Sequence, residues 1–197
     1  MTITTTCPDC GTGIGEPHKD DCDIERCSVC GGQRFTCDCD DHDPLRSIWT
    51  GVFPMPKNVE LSLKLSKDKR IGVKPQQCWY NAFKTMFYCR EYEEATYVEG
   101  IIHDGVTIEH GWIEFNGEIL DPTLPSEDLI YFPGLRFEGM KEVSKAMRLP
   151  QPDWCEDFPF FYRFGWGGGN SPEFRAAWEG ALRYCNRLVE ANIVMSN

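Results

Sequence analysis

The cysteines of this 197-residue chain are concentrated near its N-terminal end. Seven of the eleven lie between Cys7 and Cys39, and only four lie in the rest of the chain. The first residues carry neither a basic segment nor an apolar stretch, so we expect a cytoplasmic protein. In a reducing compartment, clustered thiols bind metal more often than they form disulfides. The cysteine distribution therefore predicts a small metal-binding module, residues 1–43, ahead of a larger domain.

Two Cys-x-x-Cys pairs carry the strongest metal-binding signal: Cys7 with Cys10, and Cys27 with Cys30. Two residues between the thiols allow a tight turn to direct both sulfurs at one ion. A glycine follows each pair and permits the close backbone turn. Sixteen residues separate the pairs. This spacing predicts one tetrahedral zinc site made by the four cysteines.

Five further candidate ligands lie in the same segment: His18, Cys22, Cys37, Cys39 and His42. One interpretation is an interleaved two-zinc module, in which alternate pairs along the chain share an ion. The other is a single zinc ribbon with these side chains as bystanders, because Cys-x-Cys is a less regular ligand spacing. One zinc ion is expected and the second is left open. We detect no internal repeat.

This segment resembles a short zinc-binding segment found in many uncharacterised bacterial and phage-type proteins. The resemblance is carried by residues 22–33, CDIERCSVCGGQ, and then by Cys37-Asp38-Cys39 and His42-Asp43-Pro44. It covers about the first fifty residues. It implies metal binding and no defined activity.

Acidic residues dominate the chain, with 31 Asp and Glu against 20 Lys and Arg and a net charge of −11. Because nucleic-acid binding draws most of its affinity from Lys and Arg, we expect no nucleic-acid partner. No apolar run approaches the roughly 20 residues of a membrane-spanning helix, so we expect no membrane partner. Zinc in so short a module is expected to replace a hydrophobic core, as a fold staple or protein-docking element. With every ligand supplied by protein, metal-assisted hydrolysis is not expected there.

The remaining chain divides into a connector, residues 44–75, and a larger domain, residues 76–197. Alternating apolar residues from Val59 to Leu65 predict one short strand in the connector. Apolar residues at helical spacing predict a helix from Gln76 to Glu91 and a second helix that Ser171-Pro172 opens.

Three strand-like runs follow the first helix: Ala95 to Ile102, Val106 to Phe115 and Glu118 to Thr123. Asn116-Gly117 between the last two is the strongest short signal for a hairpin. The predicted fold class is therefore α+β, with a helix packed on a small antiparallel sheet. Residues 124–170 show no sustained period. Their Gly-rich end, residues 165–170, lacks the Lys-Ser/Thr of a phosphate-binding loop and is expected to form a cleft rim that includes Trp166.

A cysteine stands at the start of the first predicted helix. At Cys78, unpaired backbone N–H groups and the helix dipole favour the thiolate. Cys78 is therefore the candidate nucleophile. The same N–H groups, with the side chain of Gln77 or Gln76, are candidates to stabilise an oxyanion. We expect the other cysteines beyond the module to act as small hydrophobes: Cys89, Cys155 and Cys185.

The predicted hairpin supplies a base and a carboxylate. If the Asn-Gly dipeptide forms a two-residue loop, Trp112 faces Asp121 across the strands. Because side chains alternate, His110 shares the face of Trp112 and lies within hydrogen-bond reach of Asp121. Such a carboxylate orients an imidazole that accepts a thiol proton. The pattern predicts a Cys78, His110 and Asp121 triad, with His103 as a rival base that has no carboxylate placed beside it.

These residues resemble the core of transglutaminase-like, papain-related proteins. The resemblance covers about residues 76–124, namely Cys78 on a helix followed by YVEG at 97–100, EHGW at 109–112 and LDPT at 120–123. It implies a papain-like fold and acyl-transfer chemistry on an amide or ester, since the family contains peptidases, amidases, acyl transferases, deamidases and inactive members. The chain departs from larger members in its short hairpin and in lacking an obvious oxyanion Gln on a separate upstream segment.

Two functions from different classes follow. One is a zinc-containing cysteine hydrolase or acyl transferase that acts on a peptide or glutamine-type amide, with a protein or peptide substrate. The alternative is a catalytically inactive, zinc-stapled protein-binding adaptor. The two functions predict different reactivities for Cys78, because its thiol reacts rapidly with electrophiles at neutral pH only if it is activated.

Overall fold

The computed structural model describes residues 3–126, 128–153, 157–164 and 170–195, with the side chains of the last helix described as far as residue 191. The helices in these ranges are α1 (Val59–Ser66), α2 (Cys78–Tyr88), α3 (Gly139–Ala146) and α4 (Pro172–Met195). The strands are β1 (Thr96–Asp104), β2 (Val106–Phe115), β3 (Glu118–Leu120) and β4 (Ile130–Glu138). They form one antiparallel sheet in the order β3-β2-β1-β4. The α+β class is confirmed. Cys155 and residues 165–169 of the expected rim, Trp166 among them, lie outside the described residues.

The β2–β3 hairpin has the predicted register. Phe115 pairs with Glu118, and Ile113 pairs with Leu120. Asn116 and Gly117 have φ angles of 52° and 78°, so both loop residues adopt the left-handed conformation that a two-residue hairpin loop requires. The turn chemistry therefore sets which side chains of β2 and β3 share a face.

The two faces of the sheet bury different clusters. Helices α2 and α4 pack on one face, where the largest buried side chains are aromatic: Tyr97, Phe132, Phe160, Phe161 and Phe174. The other face carries a smaller apolar cluster: Val98, Ile102, Trp112, Ile119, Leu129 and Tyr131. The ring of His110 stacks at 6.4 Å from that of Trp112. His110 therefore belongs to the face with the smaller cluster.

The connector contains a helix where a strand was predicted. Asn58 caps α1 by accepting a hydrogen bond from Leu61 N at 2.9 Å. Ser62 and Leu65 are its buried residues, and Val59 is exposed. The prediction of a strand from Val59 to Leu65 is wrong because apolar residues four apart also fall on one face of a helix, and the Asn58 cap favours that alternative.

Residues 124–170 contain regular structure that the sequence pattern did not reveal. Strand β4 and helix α3 both lie there. The pairing of β1 with β4 shifts at Glu99, which faces Leu135, while the next residue faces Pro133. Gly134 is thus an extra residue in β4. A bulge next to a proline interrupts the alternation by which a strand is recognised.

The N-terminal segment packs directly on α4. A Cβ on Gly180 would overlap the side chain of Ile14, so this close approach requires a glycine. Arg183 Nε donates to the carbonyl oxygen of Ile14 at 2.8 Å. Trp49 is fully buried and donates from Nε1 to the carbonyl oxygen of Thr4 at 3.2 Å. The segment and the sheet domain therefore share one core. No helix within the described ranges is long and apolar enough to cross a membrane.

Candidate active site and metal centres

The first group of metal-binding side chains, group A, comprises Cys7, Cys10, His18 and Cys22. Their ligand atoms all lie within 4.8 Å of one another. Cys7 Sγ lies 3.8 Å from Cys22 Sγ. His18 Nδ1 lies 3.4 Å from Cys10 Sγ and 3.1 Å from Cys22 Sγ. Three sulfurs and one imidazole nitrogen therefore converge on a single point and can hold a metal ion.

The second group, group B, comprises Cys27, Cys30, Cys37 and Cys39, again within 4.8 Å of one another. Backbone N–H donors, that of Cys30 first, outweigh the effect of burial and lower the pKa of Cys27 to about 6. Arg34 Nη1 donates to Cys37 Sγ at 3.3 Å and to the Cys39 carbonyl oxygen at 3.2 Å. This guanidinium offsets part of the charge of four thiolates.

The grouping corrects the predicted ligand sets. Each Cys-x-x-Cys pair is grouped with the ligands that follow it. Among the described residues, neither one site from Cys7, Cys10, Cys27 and Cys30 nor an interleaved module is found. His18, Cys22, Cys37 and Cys39 are group members and not bystanders. Seven residues separate the first pair from its next ligand and six separate the second, against sixteen between the pairs. Shorter loops close at a lower entropic cost, which favours consecutive sites.

His42 belongs to neither group. Its Nε2 lies 3.1 Å from Glu25 Oε1, and its Nδ1 accepts from Ser28 N at 3.2 Å. The prediction of His42 as a ligand is therefore not met in this structure. Its role here is to join Glu25 to the turn of the second pair.

The two Cys-x-x-Cys turns are alike in detail and reveal a repeat of twenty residues. In each turn a glycine donates from its N–H to the carbonyl oxygen of the first cysteine at 2.9 Å. These glycines, Gly11 and Gly31, have φ angles of 72° and 71°. An Asp-Asp-x-Asp run also recurs, at residues 20–23 and 40–43. The expectation of no internal repeat is therefore wrong. The repeat is hard to detect in the sequence because few positions other than these are identical.

The structure brings together Cys78, His110 and Asp121. Cys78 is the first residue of α2, His110 lies in β2, and Asp121 directly follows β3. His110 Nε2 lies 2.8 Å from Asp121 Oδ2, and the Cys78 side chain is near enough to the imidazole to contribute to raising its pKa. With Nε2 on the carboxylate, Nδ1 is the ring nitrogen left for the thiol. The exposed fractions are 7%, 2% and 0% in chain order, so the group is buried.

Asp121 is saturated with hydrogen bonds. Its Oδ2 accepts from His110 and from the hydroxyl of Tyr131 at 2.9 Å. Its Oδ1 accepts from the backbone N–H groups of Thr123 and Leu124, at 3.0 Å each. Burial opposes ionisation, but the charge and hydrogen bond of His110, with the N–H of Leu124, outweigh it and hold the pKa of Asp121 below its usual value. The carboxylate is therefore ionised.

Helix α1 supports Asp121 in a way that the sequence analysis missed. Ser62 Oγ accepts from Asp121 N at 3.0 Å and donates to the Asn58 carbonyl oxygen at 2.7 Å. Asn58 Nδ2 in turn donates to Glu118 Oε2 at 2.9 Å. The connector thereby fixes the end of β3. A cap signal at Asn58 was present in the sequence, but the alternation that follows favoured a strand.

Gln77 immediately precedes α2, and its side chain makes no capping bond to the first turn. Gln76 is exposed and has a φ angle of 61°. Of the two predicted oxyanion donors, Gln77 is thus the one that adjoins Cys78 and is partly buried. The N–H groups at the start of α2 are thus not capped by the Gln77 side chain.

His103 and Cys185 lie in a separate polar contact. His103 Nδ1 lies 3.4 Å from Cys185 Sγ and 3.3 Å from Thr107 Oγ1. Cys185 is partly buried and contacts these polar side chains, which a purely hydrophobic role does not explain, whereas Cys89 is fully buried. His103, the alternative candidate for the base, therefore lies beside the Cys185 thiol.

The ionisation of His110 predicts how stability depends on pH. Burial lowers the pKa of His110, but Asp121 and then Cys78 raise it to about 9. Because this exceeds the ordinary value of 6.5, the stabilisation is fully present below pH 6.5 and is lost as pH rises through about 9. The shift corresponds to about 3 kcal/mol. Urea unfolding of the wild type and of His110→Gln should give a difference in unfolding free energy that shrinks over this window. A pH-independent difference would contradict the assignment.

The contact between α2 and β2 depends on Gly111. A Cβ on Gly111 would lie 2.7 Å from Trp79 Cδ1 and 3.0 Å from Trp79 Cα. Helix α2 can begin this close to β2 only because residue 111 has no side chain. Gly111 thereby sets the distance between the helix that carries Cys78 and the strand that carries His110.

We expect Gly111→Ala to destabilise the protein by about 1–3 kcal/mol, since overpacking forces a backbone shift. The same shift should slow the alkylation of Cys78 by iodoacetamide. Gly13→Ala is the matched control, because a Cβ there meets nothing within 4 Å. Chemical denaturation and peptide mass spectrometry measure the two effects. Equal alkylation rates in Gly111→Ala and in the wild type would show that the helix position does not control the thiol.

Comparison with models of protein families, with curated proteins and with solved structures gives no match. The resemblance to transglutaminase-like proteins therefore stays a prediction.

Proposed function

We propose that this protein is a zinc-containing cysteine hydrolase or acyl transferase that acts on an amide bond of a protein or peptide. The observation that carries the proposal is the buried group in which one imidazole, His110, is hydrogen-bonded to the Asp121 carboxylate and interacts with the Cys78 side chain, which helps to raise the imidazole pKa. A thiol, an imidazole and a carboxylate arranged in this order provide a cysteine nucleophile, its general base and the group that orients the base. The helix-on-sheet arrangement agrees with the papain-like resemblance.

In the proposed reaction, Cys78 Sγ attacks the carbonyl carbon of the amide while the thiol proton resides on His110. His110 then donates this proton to the departing amine nitrogen as the C–N bond breaks. The acyl group remains on Cys78 as a thioester. Water, or an acceptor amine, gives a proton to His110 as it attacks the thioester carbonyl. The C–S bond then breaks, and His110 returns the proton to the Cys78 sulfur. Asp121 keeps the second imidazole proton on Nε2 throughout.

Oxyanion stabilisation is proposed for the start of α2. The Gln77 side chain does not cap the backbone N–H groups there, and Gln77 adjoins Cys78 in the chain. Such donors stabilise the negative charge that develops on the carbonyl oxygen.

We propose that groups A and B each hold one Zn²⁺. Two sulfurs bound to one tetrahedral zinc ion lie about 3.8 Å apart, and a sulfur and an imidazole nitrogen lie about 3.5 Å apart. In group A the Cys7–Cys22 and Cys10–His18 separations, 3.8 Å and 3.4 Å, fit this geometry, and the Cys22–His18 separation of 3.1 Å is shorter. Thiolate-rich sets of four protein ligands suit structural zinc, which staples a fold and leaves no position for substrate.

Thiol reactivity tests the enzyme proposal. Native protein is treated with iodoacetamide at neutral pH, and each cysteine is followed by peptide mass spectrometry. Cys78 should react at least about 10-fold faster than Cys89, a cysteine that is also buried and whose pKa burial raises. Cys185, which contacts His103, is followed separately so that its labelling is not assigned to Cys78.

The adaptor function is favoured by one observation, the 7% exposure of Cys78. If Cys78 reacts as slowly as Cys89, and an activated ester gives no burst of released alcohol, the thiol is structural. The catalytically inactive, zinc-stapled protein-binding adaptor is then the better description.

A further inference from the structure

The carboxylate of Asp121 has a second side-chain donor besides His110. Tyr131, in β4, donates from its hydroxyl to Asp121 Oδ2 at 2.9 Å, and the same oxygen accepts from His110 Nε2 at 2.8 Å. Strand β4 lies at the opposite edge of the sheet from β3, with β2 and β1 between them. The contact therefore joins the two edges of the sheet across the face that carries His110.

The Tyr131 ring is held in place by its neighbours. Trp112 packs edge-on against it with the ring centres 5.0 Å apart, and Trp112 also stacks on His110. The ammonium group of Lys57 lies 5.6 Å from the centre of the Tyr131 ring. Tyr131 itself is 7% exposed. Its hydroxyl is thus directed at Asp121 by packing on both sides.

The hydroxyl completes the environment of the carboxylate. Two backbone N–H groups, of Thr123 and Leu124, occupy Oδ1, and His110 takes one position on Oδ2. A carboxylate offers about four acceptor positions, so the bond from Tyr131 fills the last one. In a buried site an unfilled position on a charged oxygen is costly.

We infer that Tyr131 is a positioning residue for the proposed reaction. Its hydroxyl keeps Asp121 ionised and oriented, so that Nδ1 of His110 is free to accept the thiol proton of Cys78. The inference rests on the proposed function. Tyr131 acts through Asp121 and touches no reacting atom. Its loss should therefore alter the pH dependence of Cys78 reactivity as well as the rate.

Tyr131→Phe tests the inference, with Tyr92→Phe as the matched control because Tyr92 is also buried. The rate of Cys78 alkylation by iodoacetamide is measured across pH, together with the thermal midpoint. Tyr131→Phe should lower the rate near neutral pH by about fivefold, the effect of one hydrogen bond. The acid limb of the profile should move to higher pH, because the variant carboxylate is easier to protonate. Tyr92→Phe should match the wild type.

An unchanged profile for Tyr131→Phe would overturn the inference, and so would an equal slowing at every pH. If Tyr131→Phe does not fold, Tyr131→3-fluorotyrosine replaces it. The more acidic phenol is a stronger donor, so the acid limb should move to lower pH, and an unmoved limb would again overturn the inference.

The outcomes separate this inference from the proposed function. If wild-type Cys78 reacts no faster than Cys89, both fail. If wild-type Cys78 is activated and Asp121→Asn removes the activation while Tyr131→Phe has no effect, only the role of Tyr131 fails.

Discussion

Replacing Asp121 by Asn should lower the rate of Cys78 alkylation at least about 100-fold while leaving the protein folded. The two backbone N–H groups that donate to Oδ1 require an oxygen at that position. The Asn amide must therefore place its oxygen there and turn its NH₂ group toward His110. A neutral imidazole then accepts at Nε2 and carries its proton on Nδ1, the nitrogen that the proposed mechanism assigns to the Cys78 thiol. In that tautomer His110 cannot take the thiol proton.

Asp104→Asn provides the control, since it makes the same chemical change at an exposed residue in the β1–β2 hairpin. It should leave the alkylation rate unchanged. Peptide mass spectrometry gives the rates, and circular dichroism shows whether each variant keeps its fold. A folded Asp121→Asn protein that alkylates Cys78 at the wild-type rate would remove the carboxylate from the proposed mechanism.

Two double variants should show how the metal ligands are divided between the ions. Cys10→Ser with Cys22→Ser removes two ligands of group A and should leave one ion bound. Cys10→Ser with Cys30→Ser removes one ligand from each group and should lose both ions. Native mass spectrometry counts the ions. If Cys10 and Cys30 instead shared an ion, the second variant would retain metal at the remaining ligands, and the consecutive grouping would be wrong.

The loss of both ions should also have a large effect on stability. Binding of a structural zinc ion contributes on the order of 10 kcal/mol, which is comparable with the whole stability of a typical domain. Because Ile14 near group A packs on Gly180 of α4, chelation is expected to weaken the core as well as the N-terminal segment. A shift of the thermal midpoint on adding a chelator measures this. An unchanged midpoint together with demonstrated metal loss would show that the ions are dispensable for the fold.

Local patterns predicted the hairpin and the members of the candidate triad. Asn116-Gly117 sets a two-residue loop, and alternation then places His110 and Asp121 on one face. These features depend on neighbours close in the chain, so the sequence was sufficient for them. The chemistry of thiols and imidazoles likewise identified the eight members of groups A and B, although His42 was included with them.

Other elements had local signals that pointed in more than one direction. The apolar residues from Val59 to Leu65 fit a strand by their alternation and a helix by their spacing of four. The hydrogen bond that Ser62 Oγ accepts from Asp121 N is made by the helical form of this segment. In β4, Pro133 and the extra residue Gly134 break the alternation, and the strand is recognisable only from its pairing with β1.

The sequence by itself determined the turn, the register of β2 with β3 and the residue types able to bind metal, because each follows from backbone geometry or side-chain chemistry over short distances. The tertiary structure decided which thiols share an ion, since loop closure and not ligand identity selects among the candidates. It alone brought Cys78 to His110, through the close packing of Trp79 on Gly111. It alone brought Tyr131 to Asp121, because that hydrogen bond spans four strands and no local pattern encodes which residues meet across a sheet.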